Sequence, residues 1–235
     1  MPKQQSKQTP AFKSQQTLKV STSILSGDFA HLADEAKRIE DTGSDYLHID
    51  VMDGQFVPNL TIGPQVVAAV NRSTKMFLDV HLMMYNPYDY IERFVEAGAD
   101  NITFHFEATE DVEDTLEFIK RCGVRAGLAF CPETSASLTT RFLDKCDLML
   151  LMTVHPGFGG QEFIPDVLEK ISFVRQACTK LDIPLDLEVD GGINPETGRL
   201  CVEAGANIIV SGSYIFKHHN LPEAVQLLRN AATQK

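Results

Sequence analysis

Positive charge is scarce in this chain of 235 residues: 21 lysines and arginines stand against 32 aspartates and glutamates, a formal net charge of -11. That excess argues against a general affinity for nucleic acid or an anionic membrane, so any phosphate must be held by local groups. Paired cysteines are also missing. Cys122, Cys131, Cys146, Cys178 and Cys201 are odd in number, scattered and without a Cys-x-x-Cys spacing. Neither a disulfide framework nor a thiolate zinc site is expected, and a reducing cytoplasm fits. Long apolar runs are absent as well: the longest, around Leu148 to Val154, is strand-sized and far short of a membrane span. Residues 1–16 are polar, contain Pro2 and Pro10 and lack the apolar core of a signal peptide. They read as a flexible tail ahead of one catalytic domain over 17–235.

With 43% hydrophobic residues, the chain can bury a sizeable core. Runs rich in Val, Ile, Leu and Phe recur at Leu18 to Leu25, Tyr46 to Val51, Met76 to Leu82, Asn101 to His105, Arg125 to Phe130, Asp147 to Val154, Leu185 to Asp190 and Asn207 to Ser211. Between them lie helical spacings such as Phe29, Leu32, Ala33, Ala36, Ile39 and Val167, Ile171, Val174, Ala177. Thr42-Gly43-Ser44-Asp45, Ala97-Gly98-Ala99-Asp100 and Ala204-Gly205-Ala206-Asn207 repeat one helix-to-strand joint, with Gly suited to the helix C-cap. Near-continuous apolar strands alternating with helices imply a parallel sheet covered on both faces, and eight such units predict a closed (β/α)8 barrel. An open doubly wound sheet is the alternative. It is disfavoured because polar clusters follow many strands instead of one switch point.

Those clusters carry the chemistry. In Tyr46-Leu47-His48-Ile49-Asp50-Val51-Met52-Asp53-Gly54, alternation along a strand aims His48 and Asp50 at one face. Met76 to Met83 brings His81 to a strand end, and Leu185 to Gly192 ends on Asp190 before two glycines. Strand C-termini build the active site of such a barrel, so His48, Asp50, His81 and Asp190 present two nitrogens and two oxygens for one divalent ion. Buried, hydrogen-bonded histidines and N-capping aspartates would explain any one of the four alone. Gly157-Phe158-Gly159-Gly160, Gly191-Gly192 and Gly212-Ser213 let backbone N–H groups approach an anion. No Walker-type lysine accompanies them, which argues against a nucleoside triphosphate. Met52, Met83 and Met152 sit at strand ends, where thioethers can exclude water from a reactive intermediate or simply fill a core. Ser23, after the first strand, is placed to hydrogen-bond a substrate hydroxyl, or to serve as a turn residue or N-cap. His31, His218 and His219 read as solvated, His105 as lining the barrel or supporting a ligand from behind, and His155 receives no role.

Together with Thr22-Ser23-Ile24-Leu25, His155-Pro156-Gly157-Phe158-Gly159-Gly160-Gln161 and Ser211-Gly212-Ser213, these segments closely resemble the ribulose-5-phosphate 3-epimerase family from about Leu18 to about Ala231, in the family's order. The family commonly has Pro where this chain has Thr22. The resemblance implies a ribulose-phosphate-binding barrel that interconverts D-ribulose 5-phosphate and D-xylulose 5-phosphate in the pentose phosphate pathway. It implies one divalent metal per subunit (Zn, Fe, Mn or Co) on His48, Asp50, His81 and Asp190. Asp50 and Asp190 would act as acid and base, and the glycine loops with Ser213 would hold the phosphate. The expected partners are a sugar phosphate and further copies of the chain in a dimer or hexamer, with no nucleic acid and no membrane. Three alternatives stand beside it. An allulose-6-phosphate 3-epimerase would share the metal and the acid/base residues. A related decarboxylase would need a lysine where Met52 stands in Asp50-Val51-Met52-Asp53. A non-catalytic sugar-phosphate sensor would have no need of Asp190.

Overall fold

Each apolar run feeds a helix, and in the computed structural model, which describes residues 17–233, the runs close into a barrel in sequence order. The strands are β1 (Lys19–Ser23), β2 (Tyr46–Met52), β3 (Phe77–Met83), β4 (Asn101–His105), β5 (Arg125–Phe130), β6 (Leu148–Met152), β7 (Asp186–Asp190) and β8 (Ile208–Ser211). The helices are α1 (Leu32–Glu40), α2 (Pro64–Ser73), α3 (Ile91–Ala97), α4 (Val112–Arg121), α5 (Ala136–Thr139), α6 (Val167–Leu181), α7 (Pro195–Ala204), α8 (Ser213–Lys217) and α9 (Leu221–Thr233). Parallel pairing of β1 with both β2 and β8 closes the sheet, so the open doubly wound alternative is excluded. The tail assigned to residues 1–16 lies outside the described residues.

The strand limits expected for β4 and β5 coincide with those found; β1, β6, β7 and β8 are shorter, and β1 and β6 end early for local reasons. β1 stops at Ser23 instead of Leu25, because the Ser23 hydroxyl accepts the Leu25 N–H and starts a tight turn over Ile24–Ser26. β6 stops at Met152 instead of Val154. There Thr153 turns to the neighbouring loop, its hydroxyl donating to the Gly191 carbonyl at 2.6 Å.

Outward residues such as Leu47, Ile49 and Leu82 join helix residues such as Ala36, Ile39 and Val67 in the main core. The inside of the barrel is divided. Tyr46, Ala129, Leu148, Leu150, Met152 and Ile208 form a separate apolar cluster there. Alternation on β1 to β4 and β7 turns Ser23, His48, Asp50, Asp79, His81, Asn101, Thr103, His105 and Glu188 inward, all of them buried. Buried charge of this density needs partners, and it lies on the side that carries the candidate ligands. At the N-terminal end of the strands, Arg125 pairs with Asp186 at 2.7 Å and Lys19 with Tyr46 at 2.5 Å. That end is closed, and the opposite end holds the cavity.

Candidate metal and catalytic site

Parallel register sets Asp50 of β2 directly beside His81 of β3, while His48 stands two residues earlier on the same face. Asp190, the last residue of β7, completes the group: one ligand atom from each of the four lies within 4.8 Å of all the others. Asp50 Oδ1 is 3.3 Å from His48 Nε2 and 3.2 Å from His81 Nδ1, and Asp190 Oδ2 is 3.9 Å from His48 Nε2. His48 Nε2 is buried and has no aligned hydrogen-bond partner; the nearby carboxylates stand off its axis. An orphaned imidazole nitrogen facing two carboxylates is costly by itself and is satisfied by a cation between them. The two-nitrogen, two-oxygen set fits a divalent transition metal.

The electrostatics point the same way. Burial disfavours a charged His48, but the negative charges of Asp50 and Asp79 outweigh it and hold its pKa well above the ordinary histidine value. The carboxylates around His48 thus favour a positive charge in the pocket. Asp79 accepts from His48 Nδ1 at 2.8 Å and from Asn101 Nδ2 at 2.7 Å, which orients the ring with Nε2 toward the cluster. For His81, burial dominates and brings the pKa down to about 4, so the ring is neutral and able to bind a metal.

The two aspartates move in opposite directions. Burial alone would raise Asp50, but the charge and contacts of His48, with those of His81, more than offset it and hold the carboxyl low. Burial raises Asp190, and the charge of Asp50 raises it further. A standing carboxylate beside a carboxyl biased toward its neutral form is a pattern that separates base from acid.

A cavity of about 270 Å³ opens over these residues at the C-terminal mouth of the barrel. Met52, Met83 and Met152 line it, together with Ser23, Gly157, Phe158, Gly159, Gly160, Gly191, Gly192, Gly212 and Ser213. His48 and His81 lie beneath, wholly buried. Two glycines are required by space. A Cβ on Gly212 would stand 2.8 Å from Ser26 Oγ, and one on Gly192, whose φ is 65°, would stand 2.7 Å from the Phe163 nitrogen. Ser23 is the N-cap the sequence also allowed, its oxygen accepting the Leu25 N–H, and its hydroxyl donates to Asp50 Oδ2 at 2.7 Å, so its proton is committed to the carboxylate and the oxygen can only accept from a ligand. His155 is exposed and pairs with Glu133 at 2.5 Å, outside the cavity lining.

Sequence reasoning passed over several residues that the structure brings here. Ser26, Asn194 and Lys217 line the cavity, and Lys217 adds a cation beside the glycine loops. Its position four residues after Ser213, one helical turn on, was the available signal. Asp79 and Glu188 were equally legible, each two residues before a proposed ligand on an alternating strand. Glu188 sits behind His48, with Oε1 4.0 Å from Nδ1, and burial and the charge of Asp79 push its carboxyl well above the carboxylate range.

The sequence matches the family model described as ribulose-phosphate 3 epimerase family over residues 19–216. It is 52% identical to the ribulose-phosphate 3-epimerase of Chlamydia trachomatis serovar D, across 93% of this chain and 95% of that protein. Against the ribulose-phosphate 3-epimerase of Bacillus subtilis it is 48% identical, across 91% of this chain and 99% of that protein. Among solved structures, a KGPDC from Streptococcus mutans superposes with a TM-score of 0.69 at 13% identity, covering 92% of this chain and 97% of that one. At that identity the likeness is one of fold.

Proposed function

Because the chain belongs to the ribulose-phosphate 3-epimerase family, we propose that it interconverts D-ribulose 5-phosphate and D-xylulose 5-phosphate at C3, as a metal-dependent step of the pentose phosphate pathway in the cytoplasm. The observation that carries the reading is the convergence of His48, Asp50, His81 and Asp190 beneath a cavity ringed by glycine loops. These four residues would hold the ion, and a divalent cation there supplies electrostatic stabilisation of negative charge developing on the substrate oxygens.

The protein's own groups do the rest. Asp50, held as a carboxylate, removes the C3 proton, with the Ser23 hydroxyl bond fixing the orientation of the carboxylate. The electron pair left behind passes into a planar enediolate. Asp190, biased toward its protonated form, returns a proton to the opposite face of C3, and exchange with solvent resets both carboxyls. In the reverse direction the roles exchange. β2 and β7 are separated by β1 and β8 around the barrel, which places the two groups on different walls. Met52, Met83 and Met152 surround the reacting carbon with atoms that donate no acidic proton, so the intermediate is not quenched on the wrong face. The backbone around Gly191, Gly192, Gly212 and Ser213, with Lys217 close by, binds the phosphate.

Replacing Gly212 by Leu tests the phosphate assignment, since the side chain would press on Ser26 and Ser23. We expect KM for ribulose 5-phosphate to rise roughly 10- to 100-fold and kcat to fall, because the phosphate orients the distant C3. Metal content should stay at the wild-type value. Unchanged kinetics in the folded variant would remove this loop from the site.

A panel of five- and six-carbon ketose phosphates, assayed on one purified sample with elemental analysis, tests the reading as a whole. The highest kcat/KM is expected with ribulose 5-phosphate, at about one divalent ion per chain. A preference for allulose 6-phosphate, or no turnover of either sugar by folded, metal-loaded protein, would overturn it.

A further inference from the structure

We propose that His105 and Glu107 are positioning residues that act through His81, holding its ring and tautomer so that Nδ1 faces the metal. The inference rests on the metal site proposed above and assigns it an outer arm. His81 pairs with Thr103 across the β3–β4 ladder, so His105, two residues further along β4, lies on the same inward face. The two rings lie nearly parallel, with centroids 5.0 Å apart and planes inclined at 28°, and their Nε2 atoms are 2.9 Å apart.

Two imidazole nitrogens at that distance share one hydrogen, so one ring must donate and the other accept. His81 Nδ1 points at Asp50 Oδ1 within the ligand cluster, and a nitrogen that binds a cation carries no proton. The His81 proton therefore sits on Nε2 and is donated to His105 Nε2. That leaves His105 with its own proton on Nδ1, where Glu107 Oε2 lies at 3.4 Å. Each tautomer fixes the next, from Glu107 to His105 to His81.

The far end of this chain is anchored. Glu107 Oε1 accepts the backbone N–H of Cys131 at 2.9 Å and the hydroxyl of Thr134. The buried Lys170 ammonium clamps the same loop by donating to the Cys131 and Pro132 carbonyls at 2.8 and 2.9 Å. Burial would raise the Glu107 carboxyl, but its hydrogen bonds with His105, Thr134 and the Cys131 N–H more than offset that and hold it at about 2. A standing negative charge beside His105 Nδ1 favours the tautomer the relay needs. His48 is oriented more directly, by its 2.8 Å contact with Asp79.

His105, Glu107 and Cys131 also stand close enough together to suggest a second metal site. The relay is the better reading, because the polar atoms are already engaged with one another and burial with the charge of Glu107 keeps the Cys131 thiol well above its ordinary range. A protonated thiol is a poor ligand.

The test is metal affinity of the full-length protein, by competition with a chromogenic chelator, together with the visible absorption of the cobalt(II)-loaded form. His105→Phe removes the acceptor and should weaken binding about 10- to 100-fold, the range typical of lost outer partners of a ligand histidine, and alter the cobalt spectrum. Glu107→Gln should weaken it less. His105→Gln, whose amide oxygen can accept from His81 Nε2–H, should recover part of the loss. A purely structural role would lower the melting temperature of the metal-free protein and leave affinity and spectrum unchanged, and that result in folded His105→Phe and Glu107→Gln overturns the proposal. Should His105→Phe fail to fold, His105→Gln and Glu107→Gln decide the matter by the same criteria. Wild-type protein that binds no divalent ion would sink the metal site and the relay together; wild-type binding with unaffected variants sinks the relay alone.

Discussion

Asp190→Asn loses epimerisation by about 10³-fold or more, the scale at which a positioned acid or base contributes to a proton transfer. The substitution keeps the shape of the side chain and removes the proton that the second face of C3 must receive. Because Asp50 and its Ser23 contact are untouched, the variant should still exchange the C3 hydrogen of one epimer with solvent, slowly and without net inversion. Asp190 is also a proposed ligand, with Oδ2 3.9 Å from His48 Nε2, so metal occupancy has to be measured on the same sample. A fully loaded Asp190→Asn protein that interconverts the epimers near the wild-type rate would contradict the two-base assignment.

Chelation produces the second large loss. Removing the ion leaves Asp50, Asp79 and Asp190 crowded around His48 with no cation to balance developing charge on the substrate, and activity should fall at least about 10²-fold, as several kcal/mol of lost stabilisation implies. Adding back a stoichiometric divalent ion should restore it, with the rate depending on which of Zn, Fe, Mn or Co is supplied. Protein shown by elemental analysis to be metal-free, yet fully active, would rule out the proposed role of His48 and His81.

Much of this was visible in the residues themselves. Runs such as Asn101 to His105 and Arg125 to Phe130 are strands over their full expected length, buried throughout except at Arg125. His48 and Asp50 share a face because a strand repeats every second residue. Strand order needed only the rule that eight parallel units close. What escaped was long-range register. Nothing near His81 in sequence says that β4 will slide so that His105, rather than Thr103, meets its Nε2, since that pairing is settled by the whole ladder. Ser23 shows a different limit: a hydroxyl after a strand can serve substrate, turn or carboxylate, and the choice of Asp50 is made by the approach of β1 to β2. The halves of the barrel interior were hidden for the same reason. Leu148 and Leu150 look like Leu187 and Val189 in a sequence, yet the first pair faces the inside of the barrel and the second the helices.

The central claim is that this site inverts C3 by passing protons through Asp50 and Asp190, and turnover of ribulose 5-phosphate in heavy water, followed by NMR, reads it directly. Xylulose 5-phosphate should form with deuterium at C3 and at no other carbon, since each carboxyl exchanges with solvent between turnovers. Xylulose 5-phosphate that retains the original C3 hydrogen, or metal-loaded protein that forms none, would contradict it.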